Sequence, residues 1–223
     1  MTPSQPVTLT INGRNVTVPA GTTIWQAARD LGIAIPVLCH SPKLAPVGVC
    51  RVCVVDVGER VLAAACVRPC QEGMKVTTES PALTGHRRTL TQLLLADYPE
   101  DSAREATTGD DELLALARSL GIRDVPYPDG AAGRPRGMDA SSPVIAVDHQ
   151  ACILCDRCIR ACDDIQHNDV IGRTGKGSAA RIAFDLNTPM GQSSCVACGE
   201  CMAACPTGAL TDKSVAGIKI TVR

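Results

Sequence analysis

Residues 152–162 read CILCDRCIRAC, and residues 195–205 repeat the same cysteine spacing as CVACGECMAAC. Each run is Cys-x2-Cys-x2-Cys-x3-Cys, the spacing by which one chain wraps two neighbouring 4Fe-4S clusters, with the fourth cysteine of each run binding the other run's cluster. Disulfides and structural zinc are the alternatives. We expect one cluster to be bound by Cys152, Cys155, Cys158 and Cys205, and the other by Cys162, Cys195, Cys198 and Cys201.

The composition indicates a chain built around metal centres. Its 223 residues include 13 cysteines but only one Trp, two Tyr and one Phe. Metal binding adds folding free energy where large core side chains are few. The odd cysteine count, the lack of a signal-peptide pattern in residues 1–21 and the lack of a long apolar run predict a cytoplasmic protein without a membrane span. A net charge of −1, without a basic stripe, gives no case for nucleic acid.

The N-terminal 80 residues predict a small mixed sheet packed on one helix. Asn12-Gly13 separates two β-branched runs and is typical of a hairpin turn. Thr22 or Thr23 is placed to cap a helix that ends at Gly32. A second hairpin is expected around Gly58-Glu59, followed by a last strand at 75–78.

Four further cysteines fall within this unit, at Cys39-x10-Cys50-x2-Cys53-x12-Cys66. Four thiolates can hold a 2Fe-2S cluster, and a loop that passes close to it needs small residues such as Gly48. The Cys-x2-Cys pair also fits zinc or a redox dithiol. Cys70 competes with Cys66 for the last position; we favour Cys66, which directly follows a predicted strand.

The middle of the chain predicts two helices and irregular connections. The first spans residues 81–98 and has a leucine-rich apolar stripe. We expect His86 to be a surface or packing residue of this helix and not a metal ligand. An acidic run at 100–112 predicts a solvated loop, and a second helix follows at 111–120. Residues 127–142 predict a linker. In the last domain we expect strands at 144–148 and 181–184, short helices at 157–161 and 200–204, and a terminal strand carrying Ile218, Ile220 and Val222.

Motifs along nearly the whole chain resemble those of a family of redox subunits. The matching stretches include Gly48-x-Cys50-Arg51-x-Cys53, Ala64-Ala65-Cys66, His86-Arg87-Arg88 and Cys205-Pro206-Thr207-Gly208. The chain is similar to the N-terminal iron–sulfur region of the formate dehydrogenase alpha subunit, to the complex I large iron–sulfur subunit and to the small diaphorase subunit of NAD-reducing hydrogenases. The resemblance implies an α+β chain with two ferredoxin domains. The first is a β-grasp 2Fe-2S domain whose cluster is bound through Cys39, Cys50, Cys53 and Cys66, and the second is of the bacterial 2x(4Fe-4S) type.

One departure from that family predicts a missing cluster. Its members bind a further 4Fe-4S cluster through one histidine and three cysteines that follow an Asp-His-Pro motif. A gapless alignment places at those positions Tyr98, Ser102, Glu105 and Asp111. We therefore expect no cluster there, with these residues in a solvated loop and nothing to force them together.

The domain boundaries follow from these elements. We expect a 2Fe-2S domain at 1–80, a helical segment with the degenerate cluster site at 81–142, the 2x(4Fe-4S) domain at 143–212 and a tail at 213–223. No nucleotide-binding Gly-x-Gly-x-x-Gly motif and no nucleophile beside a base is found, so we expect no substrate chemistry on this chain.

The expected function is therefore electron transfer within a complex. The partners would be a flavin/NAD-binding subunit and a catalytic subunit of molybdenum, tungsten or hydrogenase type, which would carry any FMN or FAD, NAD or molybdopterin. The resemblance favours a formate dehydrogenase. The alternatives are an NAD-linked hydrogenase, another bifurcating oxidoreductase or a free ferredoxin-like carrier.

Overall fold

The computed structural model describes residues 5–127 and 136–214. Its contacts divide the chain into two compact units, one of residues 1–40 and 46–90 and the other of residues 41–45 and 91–223. The predicted strand at Ile218, Ile220 and Val222 lies outside the described residues.

The first unit is a small mixed sheet with one helix. The hairpin β1–β2 turns at Asn12 and Gly13, both at positive φ (49° and 77°), as a tight turn of this kind requires. Strand β5 pairs in parallel with β1, while β3 and β4 form a separate antiparallel pair. Its elements are β1 (Val7–Ile11), β2 (Arg14–Val18), α1 (Ile24–Asp30), β3 (Val54–Val55), β4 (Ala63–Ala64), β5 (Lys75–Val76) and the start of α2 (Pro81–Leu95).

Helix α1 begins where the sequence predicted. Thr23 accepts from the backbone N–H of Gln26, whose side chain accepts in return from the backbone N–H of Thr23. This capping box satisfies two donors that a helix start leaves unpaired. The helix face of Ile24, Ala27 and Ala28 is fully buried against the alternating Leu9 and Ile11 of β1 in one core.

Helix α2 ends at Leu95, three residues before the predicted end, and it buries only part of the predicted leucine stripe. Its buried positions are Leu83, Arg87 and Thr91, whereas Leu93 is 50% exposed. Arg87 is buried because its guanidinium donates to the carbonyls of Val54 at 2.8 Å and Thr78 at 2.9 Å. His86 is exposed, as expected of a surface histidine.

The second unit carries the cysteine repeat. Strand β7 lies between β6 and β10 in an antiparallel sheet, and β8 pairs with β9 as a hairpin. Part of the predicted linker is therefore a strand, and β8 was not predicted. The elements are α3 (Ala103–Thr107), α4 (Glu112–Ser119), β6 (Met138–Asp139), β7 (Ile145–Asp148), α5 (Arg157–Arg160), β8 (Ile171–Thr174), β9 (Arg181–Phe184), α6 (Glu200–Ala204) and β10 (Leu210–Asp212).

The two short helices expected after the cysteine loops are α5 and α6. A π-helical turn, Ala161–Ile165, continues α5. Both helices pack into a core that also includes Ile145, Ile182 and Phe184. None of the described helices is long and apolar enough to cross a membrane.

Candidate metal centres

The structure brings together the four cysteines predicted for the 2Fe-2S site. The Sγ of Cys53 lies 3.4 Å from that of Cys66, and both side chains are buried. The backbone N–H of Cys39 donates to the Sγ of Cys50 at 3.4 Å, and that of Cys50 donates to the Sγ of Cys39 at the same distance. Backbone N–H groups therefore already point at the sulfur atoms, as they do where they stabilise a thiolate.

These contacts favour the form of cysteine that binds iron. Hydrogen bonds from Cys50 and then Cys66 lower the pKa of Cys39 to about 2, and a hydrogen bond from Cys66 lowers the pKa of Cys53 to about 7. The same hydrogen bonds raise the pKa of Cys50 and Cys66, so the group keeps Cys39 ionised and Cys53 partly ionised at neutral pH while the other two sulfurs act as donors. Because the thiolate is the metal ligand, a group of sulfurs that already holds negative charge suits metal binding.

The surrounding loop has the geometry that a close approach to a cluster requires. Gly48 has φ +65°, and a Cβ there would lie 3.2 Å from the side chain of Val67. Arg51, which separates Cys50 from Val52, is also left-handed at φ 61°. A larger residue at position 48 would therefore meet both backbone strain and crowding.

Cys70 differs from Cys66 in what surrounds its thiol. Burial alone raises the pKa of Cys70, whereas hydrogen bonds with Cys39 and Cys53 are the largest causes that raise the pKa of Cys66. Cys66 is therefore the one of the two that belongs to the group of sulfurs. None of the thirteen cysteines, all of which are described, forms a disulfide.

Each predicted set of four in the second unit lines a cavity of its own. One cavity is lined by Cys152, Cys155, Cys158 and Cys205, together with apolar side chains such as Ile182 and Leu210. The other is lined by Cys162, Cys195, Cys198 and Cys201, with Ile145 and Ile171. The fourth cysteine of each run lies in the other run's cavity.

The two cysteine loops share an unusual backbone. Leu154 and Ala197, each two residues after the first cysteine of its run, have φ 54° in both loops, and two residues later Asp156 and Gly199 have φ 59° and 85°. Left-handed residues at matching places show that the sequence repeat is also a repeat of conformation.

Six of these eight cysteines are buried, whereas Cys195 is half-buried and Cys198 is exposed. Burial raises the pKa of Cys152 to about 11 and that of Cys201 to about 12. Four thiols in one apolar cavity cannot ionise together unless a positive group offsets their repulsion. Iron would supply that charge, so the residues present fit the cofactor.

Two arginines lie close to the cysteines of the first cavity, although neither lines it. Arg157 donates through both terminal nitrogens to the carboxylate of Glu112, at 2.6 and 2.8 Å, although its side chain is only 7% exposed. Arg173 donates to the Leu154 carbonyl at 2.7 Å and pairs with Asp156. These arginines were not predicted as functional residues. The sequence signal for Arg157 was its position between Cys155 and Cys158, two candidate ligands.

The prediction that the degenerate site is a solvated loop, with nothing to bring its residues together, is wrong. Ser102 and Asp111 are 2% and 0% exposed. The hydroxyls of Tyr98 and Ser102 both donate to the Asp111 carboxylate, the latter at 2.7 Å, and Asp111 also caps α4 by accepting from Leu113 and Leu114. Only Glu105 points elsewhere, to an ion pair with Arg118.

This network is connected to the segment that follows the last cysteine. The backbone N–H of Gly208 donates to the Tyr98 hydroxyl at 3.1 Å, and that of Glu112 donates to the Pro206 carbonyl at 2.8 Å. Arg104 donates to the Cys205 carbonyl at 2.6 Å. Tyr98, Arg104 and the backbone of Glu112 thus hold the segment from Cys205 to Gly208 in place.

Twelve cysteines in three groups, two of them related by an internal repeat, define an iron–sulfur protein of ferredoxin type. A family model described as a 2Fe-2S iron–sulfur cluster binding domain matches residues 4–81. A model of the ferredoxin-like domain of NADH-quinone oxidoreductase subunit 3 matches residues 142–211.

Similar proteins come from hydrogenases and oxidoreductases. A chain in the crystal structure of an NAD⁺-reducing [NiFe]-hydrogenase is 31% identical, with a TM-score of 0.84 over 95% of this chain and 89% of that one. An NADP-reducing hydrogenase subunit of Solidesulfovibrio fructosivorans is 39% identical over 92% of this chain. The alpha subunit of an NADPH-Fe(3+) oxidoreductase of Geobacter sulfurreducens is 37% identical over 93% of it.

The chain spans 36% and 24% of the length of those two curated relatives. It matches the hydrogenase structure's chain over nearly the whole of both. The chain therefore belongs to the family of iron–sulfur electron-transfer proteins in which a 2Fe-2S domain precedes an NADH-quinone oxidoreductase subunit 3-type ferredoxin domain. The names of these relatives do not include a formate dehydrogenase.

Proposed function

We propose that the chain is the electron-transfer component of an NAD(P)-linked oxidoreductase complex, and that it passes single electrons between a flavin/NAD(P) subunit and a catalytic subunit. The observation that carries the proposal is that two cavities are each lined by one repeat-related set of four cysteines. A third group of four sulfurs supports a 2Fe-2S site.

We assign the 2Fe-2S cluster to the N-terminal group, and one 4Fe-4S cluster to each cavity. When bound, the clusters would supply one-electron chemistry, while the chain sets their potentials through hydrogen bonds to sulfur, burial and nearby charge. The proposed ligands are Cys39, Cys50, Cys53 and Cys66; Cys152, Cys155, Cys158 and Cys205; and Cys162, Cys195, Cys198 and Cys201.

The terminal substrate is proposed from the relatives. The similarity to subunits of hydrogenases and of an NADPH-linked oxidoreductase favours hydrogen or another NAD(P)-linked electron donor. Formate is the alternative that the sequence resemblance favours. In both cases the substrate chemistry would lie on the catalytic subunit, and NAD(P) and flavin on another.

The test is to purify the tagged full chain anaerobically from its own host and to follow which proteins co-elute in size-exclusion chromatography. We expect a stable complex that reduces viologen with NAD(P)H and with either hydrogen or formate. Dithionite-reduced samples should show one 2Fe-2S and two interacting 4Fe-4S signals by electron paramagnetic resonance.

Cys198→Ser and Cys70→Ser form a matched pair for this test. Cys198→Ser should remove one 4Fe-4S signal and most NAD(P)H-driven viologen reduction by the complex, whereas Cys70→Ser should keep both. Elution of the chain alone, with its clusters intact, would favour a free ferredoxin-like carrier. Absence of all three signals after anaerobic reconstitution would overturn the proposed function.

A further inference from the structure

A cleft of about 350 Å³ in the second unit is separate from the cysteine cavities. Residues of β6, β9 and the turn after β9 line it. Two arginines, Arg136 and Arg181, and one acid, Asp139, are its charged members. His149 also lines it and is 8% exposed; burial lowers the pKa of His149, so this side chain is neutral at pH 7.

The two arginines have no acidic partner among the described residues. Arg136 donates to the carbonyls of Cys152 at 2.8 Å and Gln150 at 3.0 Å, and Arg181 donates to the amide oxygen of Asn187 at 3.0 Å. The Asp139 carboxylate instead accepts from Ser141 and from the backbone N–H of Met190 at 2.7 Å. Two guanidinium charges thus face the cleft without a carboxylate paired to either.

Large apolar side chains stand at the rim of the cleft. Met138, which lines it, is 75% exposed, and Leu186, next to the lining residue Asn187, is 96% exposed. A single exposed apolar residue needs no explanation, but two beside one cationic cleft resemble the mixture of apolar and arginine side chains found in protein interfaces.

The cleft also adjoins the first cysteine cavity. Ile182 lines both the cleft and the cavity of Cys152, Cys155, Cys158 and Cys205. Arg136 bonds the carbonyl of Cys152. The cleft and the cavity therefore share Ile182 in their linings, which brings a group bound in the cleft close to a cluster bound in the cavity.

We propose that this cleft and its rim are the docking face for an acidic segment of a partner redox subunit, at which electrons pass to or from the cluster assigned to Cys152, Cys155, Cys158 and Cys205. The unpaired arginines select acidic side chains, and Met138 and Leu186 select an apolar surface beside them. Small-molecule sites bury most of their ligand among apolar walls, whereas here Met138 and Leu186 hold their apolar surface open to solvent. The inference rests on the proposed function.

Charge reversal on the full chain, in its complex, tests this docking face. Arg181→Glu should raise the dissociation constant of the redox subunit at least about tenfold, because it places like charges across the interface. Arg123→Glu, an equally drastic change at an exposed position outside the cleft, should leave it within about twofold. Added salt should weaken binding of the unmodified chain more than that of Arg181→Glu.

A photo-cross-linking residue introduced in place of Leu186 identifies the occupant. We expect it to capture an Asp- or Glu-containing peptide of the co-purifying redox subunit, and exchange of that acid for Lys should restore binding to Arg181→Glu. Capture of a second copy of this chain or of a peptide without acids, or equal effects of Arg181→Glu and Arg123→Glu, would overturn the docking face.

Iron content and electron paramagnetic resonance of the same samples separate the two proposals. Intact cluster signals with unchanged association refute the docking face alone. Absence of the cluster signals refutes the proposed function, and the docking face with it.

Discussion

Asp111 shows how much a single buried residue of this chain does. Its carboxylate accepts from the hydroxyls of Tyr98 and Ser102 and from two backbone N–H groups of α4, and it has no exposed surface. Burial and the bond to Asp111 raise the pKa of Tyr98, so the phenol stays protonated and remains a donor. The alignment predicted the replacement of all four ligands, but not that three replacements would meet, because their meeting depends on the turns between α2 and α4.

Replacement of Asp111 should therefore be costly. Asp111→Ala leaves two hydroxyls and a helix start without their acceptor, and we expect a loss of about 2–4 kcal/mol in the free energy of unfolding. Asp101→Ala, at an exposed position, should change it by less than about 0.5 kcal/mol. Anaerobic thermal unfolding followed by circular dichroism measures both. Equal midpoints for the two variants would show that the network does not stabilise the fold.

At the scale of elements, structure that depends on neighbouring residues was predicted correctly, whereas structure that depends on hydrogen bonds between distant residues was not. The Asn12-Gly13 hairpin, the Thr23 cap and the strand at Arg181–Phe184 are all observed, because each depends on residues close together in sequence. The buried face of α2 was predicted only in part. Leu83 is buried as the stripe suggested, but Arg87 is also buried, because carbonyls of Val54 and Thr78 that periodicity cannot reveal accept from it. Strand β8 has too little alternation to be seen before its pairing with β9 is known.

Helix α1 offers a sharp test of capping. The sequence left Thr22 and Thr23 as candidates, and the structure places the cap at Thr23. Thr23→Ala should cost about 0.5–2 kcal/mol of stability, whereas Thr22→Ala, one residue outside the capping box, should cost less than about 0.5 kcal/mol. Anaerobic chemical denaturation of the two variants compares them, and a larger loss for Thr22→Ala would contradict the assignment.

For the whole molecule, the grouping of the cysteines into sites was predicted mainly from their spacing. It grouped the eight cysteines of the repeat as the two cavities now group them. Spacing could not decide between Cys66 and Cys70, which are four residues apart and both buried; the contacts of Cys66 with Cys39 and Cys53 favour Cys66. It also could not reveal the cationic cleft, whose members are far apart in the chain.

Iron content tests the assembly of three clusters. We expect about ten iron atoms per chain, from one 2Fe-2S and two 4Fe-4S clusters, and about fourteen if the degenerate site also bound a cluster. Cys66→Ser should lower the count by about two, and Cys70→Ser should leave it unchanged. Iron and acid-labile sulfide assays of anaerobically purified protein give both values. Loss of iron from Cys70→Ser but not from Cys66→Ser would assign the fourth 2Fe-2S ligand to Cys70.

The matched left-handed residues of the two cysteine loops make the placement of the sulfur atoms independent of the charge around them. The backbone fixes where the sulfur atoms stand, so the side chains between them are free to set the local charge. At the first loop Arg157 and Arg173 are each paired with an acid, Glu112 and Asp156. Cys162, which ends this run and lines the second cavity, is instead followed by Asp163 and Asp164. One repeated backbone template thus gives the chain two sets of four cysteines whose charged surroundings differ, without any redesign of the fold.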